Sequence, residues 1–311
     1  MAQASFGPGA RVLLDAHNAY PESGRYADRI ERALSTGLPI AIEQDLYWYR
    51  AANATAPVPV VAHDDDALTT APMLETYFFA RIRPVMDSAL AANNRAQWPL
   101  IILNLDFKDN TPAHIEAVWQ LLKRYDAWLT TAPRTANADS TAALTVGPLL
   151  VLTGSDTTQR RIFHDVVPVG DRLRAFGAVP SVPVGGPTRG QRQRRAVQMS
   201  ASAHIPAAAT NYARWVNFPW SVIEQGGQNN AREWSSADDA RLRQFADRAH
   251  EQRLWIRFYT LDGFTSRENA GYNDGYNFGS LAAVRSRWSA AVRAGVDFIA
   301  TDQYEQFSAH R

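Results

Sequence analysis

The 311-residue chain has no cysteine. That excludes disulfides, thiolate metal sites and cysteine nucleophiles, and leaves the compartment open. No apolar run approaches the ~18 residues that cross a bilayer. Charge of either sign is not in excess either: 32 basic against 31 acidic residues leave a formal net charge of +1. Nothing global therefore points to nucleic acid or to an anionic membrane. The first residues, Met1-Ala-Gln-Ala-Ser5, lack the basic-then-apolar order of an export signal. Residues 1–8 form a polar arm that fits the remnant of a trimmed signal. A secreted or periplasmic location is the expectation, with a cytoplasmic one left open.

What is present is globular: 46% hydrophobic and 20% charged residues, with enough chain for one large domain or two small ones. Short apolar runs alternate with longer amphipathic stretches, the pattern of repeated βα units and a parallel sheet. Strands are predicted at Arg11–Ala16, Pro39–Ile42, Pro99–Leu105, Leu149–Gly154, Leu173–Ala178, Ala208–Phe218, Leu254–Tyr259 and Val296–Ala300, with a short extended piece at Val58–Ala62. Helices are predicted at Asp28–Ser35, Met73–Ala91, His114–Leu129, Asp238–Glu251 with Ser236 as its cap, and Leu281–Arg293. About eight strands over this length suit an α/β chain folded as a single-domain (β/α)8 TIM barrel, with its site at the carboxyl ends of the strands. A doubly wound sheet would need a glycine-rich turn after the first strand, where the chain instead reads Ala16-His17-Asn18-Ala19. Thr131–Ala143, Val182–Ser200 and Gly263–Gly279 are expected to be loops.

Side chains two apart on a strand share a face, so Glu43 and Asp45 project together, as do Asn104, Asp106 and Lys108. Carboxylates gathered inside a barrel mouth are costly unless neutralised. A hard divalent cation with oxygen ligands resolves that cost. Ca²⁺, or Mg²⁺ in its place, fits Glu43, Asp45, Asp106 and the Asn18 amide. Pairing of the acids with arginines is the structural alternative. His17 and His63 end the first strand and the Val58–Ala62 segment, and bracket the acidic pair. Imidazoles exchange protons near neutrality, so one suits a general base and the other a general acid. The other histidines, His114, His164, His204, His250 and His310, are expected to be solvated.

Lys108 suits a phosphoryl oxygen, with an ion pair to Asp106 or Asp109 as the alternative. Trp255, Arg257 and Tyr259 share a face of the seventh strand, and Arg257 and Tyr259 are candidate substrate contacts there, as is Trp48 near the acidic pair. Aromatics crowd this end: Tyr47 to Tyr49, then Trp215, Phe218 and Trp220, then Tyr272, Tyr276 and Phe278. They suit core packing or a rim for a sugar, inositol or lipid headgroup. Arg189 to Arg195 suit a solvated loop; contact with an anionic membrane or a phosphorylated substrate is the alternative.

Assembled, these residues resemble the PLC-like phosphodiesterase superfamily of barrels, which includes glycerophosphodiester phosphodiesterases and phosphoinositide-specific phospholipases C. The resemblance runs nearly end to end. It covers Asp15-Ala-His17-Asn18-Ala-Tyr20, Ile42-Glu43-Gln-Asp45-Leu46, Pro59-Val-Val-Ala-His63-Asp64, Leu103-Asn-Leu-Asp106-Phe-Lys108 and Ala294-Gly-Val-Asp297-Phe-Ile-Ala-Thr301-Asp302. It implies catalytic histidines at His17 and His63, metal ligands at Glu43, Asp45 and Asp106, and a phosphate-directed Lys108. The His17-Asn18 pair is similar to that of the calcium-dependent phospholipases C, where the asparagine binds calcium. Asp106 stands where the family usually has glutamate. The implied activity is metal-dependent phosphodiester hydrolysis through a cyclic phosphodiester. A lyase or transferase that stops at the cyclic product, and a non-catalytic barrel that binds a phosphorylated or sugar ligand, are the alternatives. The expected partner is a small phosphodiester or a phospholipid headgroup. The chain is expected to act as a monomer, with at most peripheral membrane contact and no nucleic acid.

Overall fold

A computed structural model describes residues 6–22, 26–224, 228, 231–268 and 277–311. The chain folds as a (β/α)8 barrel, a closed sheet of eight parallel strands with helices between them. The strands are β1 (Leu13–Ala16), β2 (Ile40–Tyr49), β4 (Ile101–Phe107), β5 (Leu149–Thr153), β6 (Phe176–Ala178), β7 (Ala213–Pro219), β8 (Trp255–Tyr259) and β9 (Phe298–Thr301). A short extra strand, β3 (Val58–Val61), runs antiparallel to the end of β2. No described helix is long and apolar enough to cross a membrane. Contact density divides the chain into two compact units. One holds residues 18–178 and 210–214; the other holds 7–17, 179–209 and 215–311.

In the first unit, β2, β4, β5 and β6 pair in parallel in that order. Parallel strands are covered on both faces, so they are apolar nearly throughout. Ile101 to Leu103 and Leu149 to Leu152 are accordingly buried without alternation. β2 runs seven residues beyond the predicted Ile42, because its second half pairs with β3 and needs no apolar second face. The predicted strand at Leu173–Ala178 splits: Phe176–Ala178 joins the barrel sheet, whereas Arg172–Leu173 pairs with Ala132–Pro133. Helix α1 (Arg29–Ser35) follows the prediction closely, whereas the predicted Met73–Ala91 helix opens as a π-helical turn, Glu75–Phe79, before helix α2 (Ala80–Ala92). Helix α3 (Pro112–Arg124) starts earlier than predicted, with proline at its first position, and the chain then turns through Asp126–Trp128.

In the second unit, β7, β8, β9 and β1 pair in parallel. The expected loop at Val182–Ser200 instead contains helix α4 (Arg189–Gln198). Its N-terminus is closed by a capping box in which Thr188 and Gln191 satisfy each other's backbone. Helix α5 (Ser236–Glu251) is capped by Ser235 rather than Ser236, again with a reciprocal partner three residues on, Asp238. Helix α6 (Leu281–Arg293) and helix α7 (Tyr304–His310) close the chain. Trp215, Phe218 and Trp220 are buried, so core packing accounts for them. Tyr272 and Tyr276 lie outside the described residues.

Three histidines expected in solvent are buried: His114, His164 and His204. Each has found a local partner, which is what lets a polar ring enter a core. His114 bonds Asp109 at 3.1 Å and stacks on Trp48, His164 bonds Asp165 at 2.8 Å, and His204 bonds the Ala196 carbonyl at 2.9 Å. Burial pushes His114 and His204 down, toward the neutral form.

Candidate functional site

The acidic cluster is a product of strand register. β2 and β4 pair so that Glu43 faces Asn104 and Asp45 faces Asp106. With side chains alternating along each strand, these four fall on one face at the carboxyl ends. Oxygens of Glu43, Asp45 and Asp106 lie within 4.8 Å of one another. Asn104 Nδ2 donates to Glu43 Oε1 at 3.4 Å, and the Asn18 backbone N–H donates to Glu43 Oε2 at 3.2 Å.

His63 reaches the same cluster because β3 folds back along β2. The Ala62 N–H donates to the Asp45 carbonyl at 3.0 Å, and His63 Nδ1 then donates to Asp45 Oδ2 at 2.7 Å. Lys108 Nζ lies 3.0 Å from that same oxygen and 2.7 Å from Asp106 Oδ2. Of the expected ion pairs for Lys108, the one to Asp106 is present. The one to Asp109 is not among the ion pairs of the described residues, because Asp109 caps the Trp48 N–H and holds His114. Burial alone would depress the Lys108 ammonium, but Asp45 and Asp106 outweigh it and hold the pKa above the usual lysine value. The hydrogen bond to Asp45 raises His63.

Asp45 is acted on by burial and by four neighbouring groups. Burial raises its carboxyl, His63 opposes that, and the charges of Glu43 and Asp106 raise it further. Both cationic partners sit on Oδ2, while the buried Oδ1 has no hydrogen-bond partner among the described residues. A buried carboxylate oxygen without a donor, in a cluster of three carboxylates, lacks a positive counterpart. The donor set is all oxygen and carries three carboxylates, so it fits a hard divalent cation. The Asn18 side chain belongs to the same neighbourhood. Its Oδ1 accepts from Tyr20 Oη, which lies 3.1 Å from His63 Nδ1.

The second unit builds a separate cluster around His17. Ala16 and Thr301 pair across β1 and β9, so the next residues, His17 and Asp302, emerge side by side. His17 Nδ1 donates to Asp302 Oδ1 at 2.8 Å, and Tyr304 Oη donates to the His17 carbonyl at 2.6 Å. Behind Asp302 stands buried Asp262, whose Oδ1 accepts from Thr301 Oγ1 and from the Asp302 N–H, each at 2.7 Å. Burial, then the charge of Asp302, pushes Asp262 up to about 7. Tyr259 lies beside this set, its ring 6.3 Å from the His17 ring and nearly parallel to it.

The remaining predicted contacts fall as follows. Arg257 is buried, and its guanidinium is held by Asp15 and, at 3.1 Å, by Asn217 Oδ1. It is therefore engaged inside the unit. Trp48 is half-buried against His114. Sequence reasoning gave no role to Tyr20, Asp262 or Asp302. Tyr20 and Asp302 lie inside quoted motifs, Tyr20 two positions from Asn18 and Asp302 at the end of the last-strand motif, where no residue was given a role. Asp262 carries no spacing signal.

No family model matches the chain, and no curated protein matches it. Solved structures do. A calcium-dependent phosphoinositol-specific phospholipase C from Pseudomonas sp. matches over 98% of this chain and 93% of its own, with 11% identity and a TM-score of 0.50. A glycerophosphoryl diester phosphodiesterase from Parabacteroides distasonis matches over 99% and 88%, with 13% identity and a TM-score of 0.44. Wild-type Plasmodium falciparum HPPK-DHPS matches over 96% of this chain and 47% of its own, with 9% identity and a TM-score of 0.45. At these identities the likeness is one of fold, and the phospholipase C carries it.

Proposed function

We propose that the chain is a metal-dependent phosphodiester hydrolase of phospholipase C or glycerophosphodiesterase type. The observation that carries this reading is Asp45: a buried carboxylate clustered with two others, with one oxygen on an imidazole and an ammonium and the other without a hydrogen-bond partner among the described residues. A structural ion pair has no need of an unpartnered oxygen in a cluster of three carboxylates; a cation-dependent site does. The fold likeness to a calcium-dependent phospholipase C supports the same reading.

Glu43, Asp45 and Asp106 would hold Ca²⁺, or Mg²⁺, with the Asn18 side chain as a further oxygen donor. When bound, the cation would lower the cost of charge on the phosphoryl oxygens. His17 and His63 each donate Nδ1–H to a carboxylate, Asp302 and Asp45, which directs proton exchange to Nε2. One imidazole takes the proton from a neighbouring substrate hydroxyl, whose oxygen attacks phosphorus. The other protonates the departing alkoxide as the P–O bond breaks, leaving an alcohol and a cyclic phosphodiester. Water then opens the ring with the two roles reversed. Lys108 supplies a second positive charge for the phosphoryl oxygens. Trp48 and Tyr259 offer aromatic surface to the substrate alcohol.

The test is a panel of glycerophosphodiesters, lysophospholipids and phosphatidylinositol, each assayed with Ca²⁺, with Mg²⁺ and with chelator. Cation-dependent cleavage of at least one diester is the expected outcome. Cleavage that chelator leaves intact refutes the metal, and no cleavage of any member refutes the reaction.

A further inference from the structure

The second unit contains a cavity of about 400 Å³, of whose lining the mechanism above uses only Tyr259. Its volume lies within the roughly 300–1,000 Å³ range of small-molecule sites. It opens at the carboxyl ends of two neighbouring strands, β7 through Asn217 to Pro219 and β8 through Tyr259 and Thr260. That is the end of a barrel at which ligands are handled. Tyr259 belongs both to the cavity wall and to the ring pair with His17, so the cavity adjoins one of the two proposed proton carriers.

The wall facing these strands is helix α4. Arg189 and Arg192, three positions apart and so on one face, line the cavity, whereas Arg194 and Arg195 on the same helix do not. Among the described residues, no aspartate or glutamate lines it. Among the described residues no carboxylate lies within ion-pair distance of any of the four arginines, and Arg192 makes one hydrogen bond, to the Gly186 carbonyl at 3.0 Å. Two uncompensated guanidiniums over a concavity with apolar walls at Val184, Phe218 and Val222 describe a receptor for an anion on a partly apolar carrier.

We infer that this cavity binds a second anionic group, a phosphomonoester or carboxylate borne by the alcohol portion of the substrate, through Arg189 and Arg192. The inference rests on the phosphodiester reading and narrows its substrate class to diesters that carry such a group.

The probe is inorganic phosphate, and the readout is phenylglyoxal labelling of individual arginines followed by mass spectrometry. Phosphate is expected to slow labelling of Arg189 and Arg192 by about tenfold or more and to leave Arg194 and Arg195 unaffected. No protection, equal protection of all four, or protection by phosphatidylglycerol vesicles but not by phosphate overturns the inference; the last outcome would make α4 a membrane-facing surface instead. A kinetic arm compares a diester bearing a second phosphate with the same diester lacking it. The ratio of their kcat/KM values is expected to fall about tenfold or more in Arg189→Gln/Arg192→Gln, and an unchanged ratio overturns the inference. Labelling does not depend on turnover. A chain protected by phosphate yet inactive on every diester refutes the reaction alone, and an active chain without protection refutes the cavity's role alone.

Discussion

His63 and Lys108 share a single oxygen of Asp45, at 2.7 and 3.0 Å from Oδ2, while the buried Oδ1 has no hydrogen-bond partner among the described residues. Asp45→Asn keeps the shape but removes the charge that both cations and the proposed metal need. Calcium or magnesium titration, read as a shift in melting temperature, should raise Tm in the wild type and have little effect in this variant. Stabilisation of Asp45→Asn equal to that of the wild type would show that the cation binds elsewhere.

The two imidazoles are expected to be individually necessary. His17→Ala and His63→Ala should each lower kcat by about 10²–10⁴-fold, the usual worth of a positioned acid or base, while circular dichroism remains that of the folded chain. A folded variant of either that keeps wild-type kcat removes that residue from the mechanism.

Asp262 links stability to pH. Its folded pKa is raised to about 7, against about 3.9 in an unfolded chain. Between those values the folded state binds the extra proton, so stability falls as pH rises through that window and the loss is complete above it. Asp262→Asn keeps an oxygen for Thr301 and the Asp302 N–H without the ionisation. Its Tm should change less between pH 5 and pH 8 than that of the wild type, as measured by calorimetry. Parallel Tm profiles would place the titration elsewhere.

In the second unit, Arg287 meets Glu224 in a buried two-point pair at 2.7 and 3.0 Å, with Trp220 Nε1 donating to the same carboxylate at 2.8 Å. Removing one partner strands the other charge in a core, which costs about 3–5 kcal/mol. Arg287→Met should therefore lose stability on that scale in urea unfolding. A change below about 1 kcal/mol, the size of a surface pair, would contradict this burial.

The acidic cluster was legible in its parts: period two puts Glu43 with Asp45 and Asn104 with Asp106, and the β2–β4 register then sets the two pairs on one face. His63 was legible as a strand-end residue, but its fold-back along β2 needed the antiparallel pairing. Asp302 and Asp262 were not legible as partners. They come from the far end of the chain, and only the β1–β9 register brings Asp302 to His17. Helix α4 was missed for a different reason. Four arginines and only one buried residue, Ala196, give no apolar stripe, and the available signal was the Thr188–Gln191 capping box. His114 had a signal that went unused: with Ile115, Val118 and Leu122 it falls on the buried face of α3.

Phosphorus NMR of the product mixture tests the central claim most directly. With a cleaved diester and Ca²⁺, the account predicts a transient cyclic-phosphodiester resonance that gives way to a phosphomonoester, with both signals lost in the presence of chelator. A phosphomonoester that forms at an undiminished rate in chelator, or spectra that stay those of the intact diester for every substrate with either cation, would contradict it.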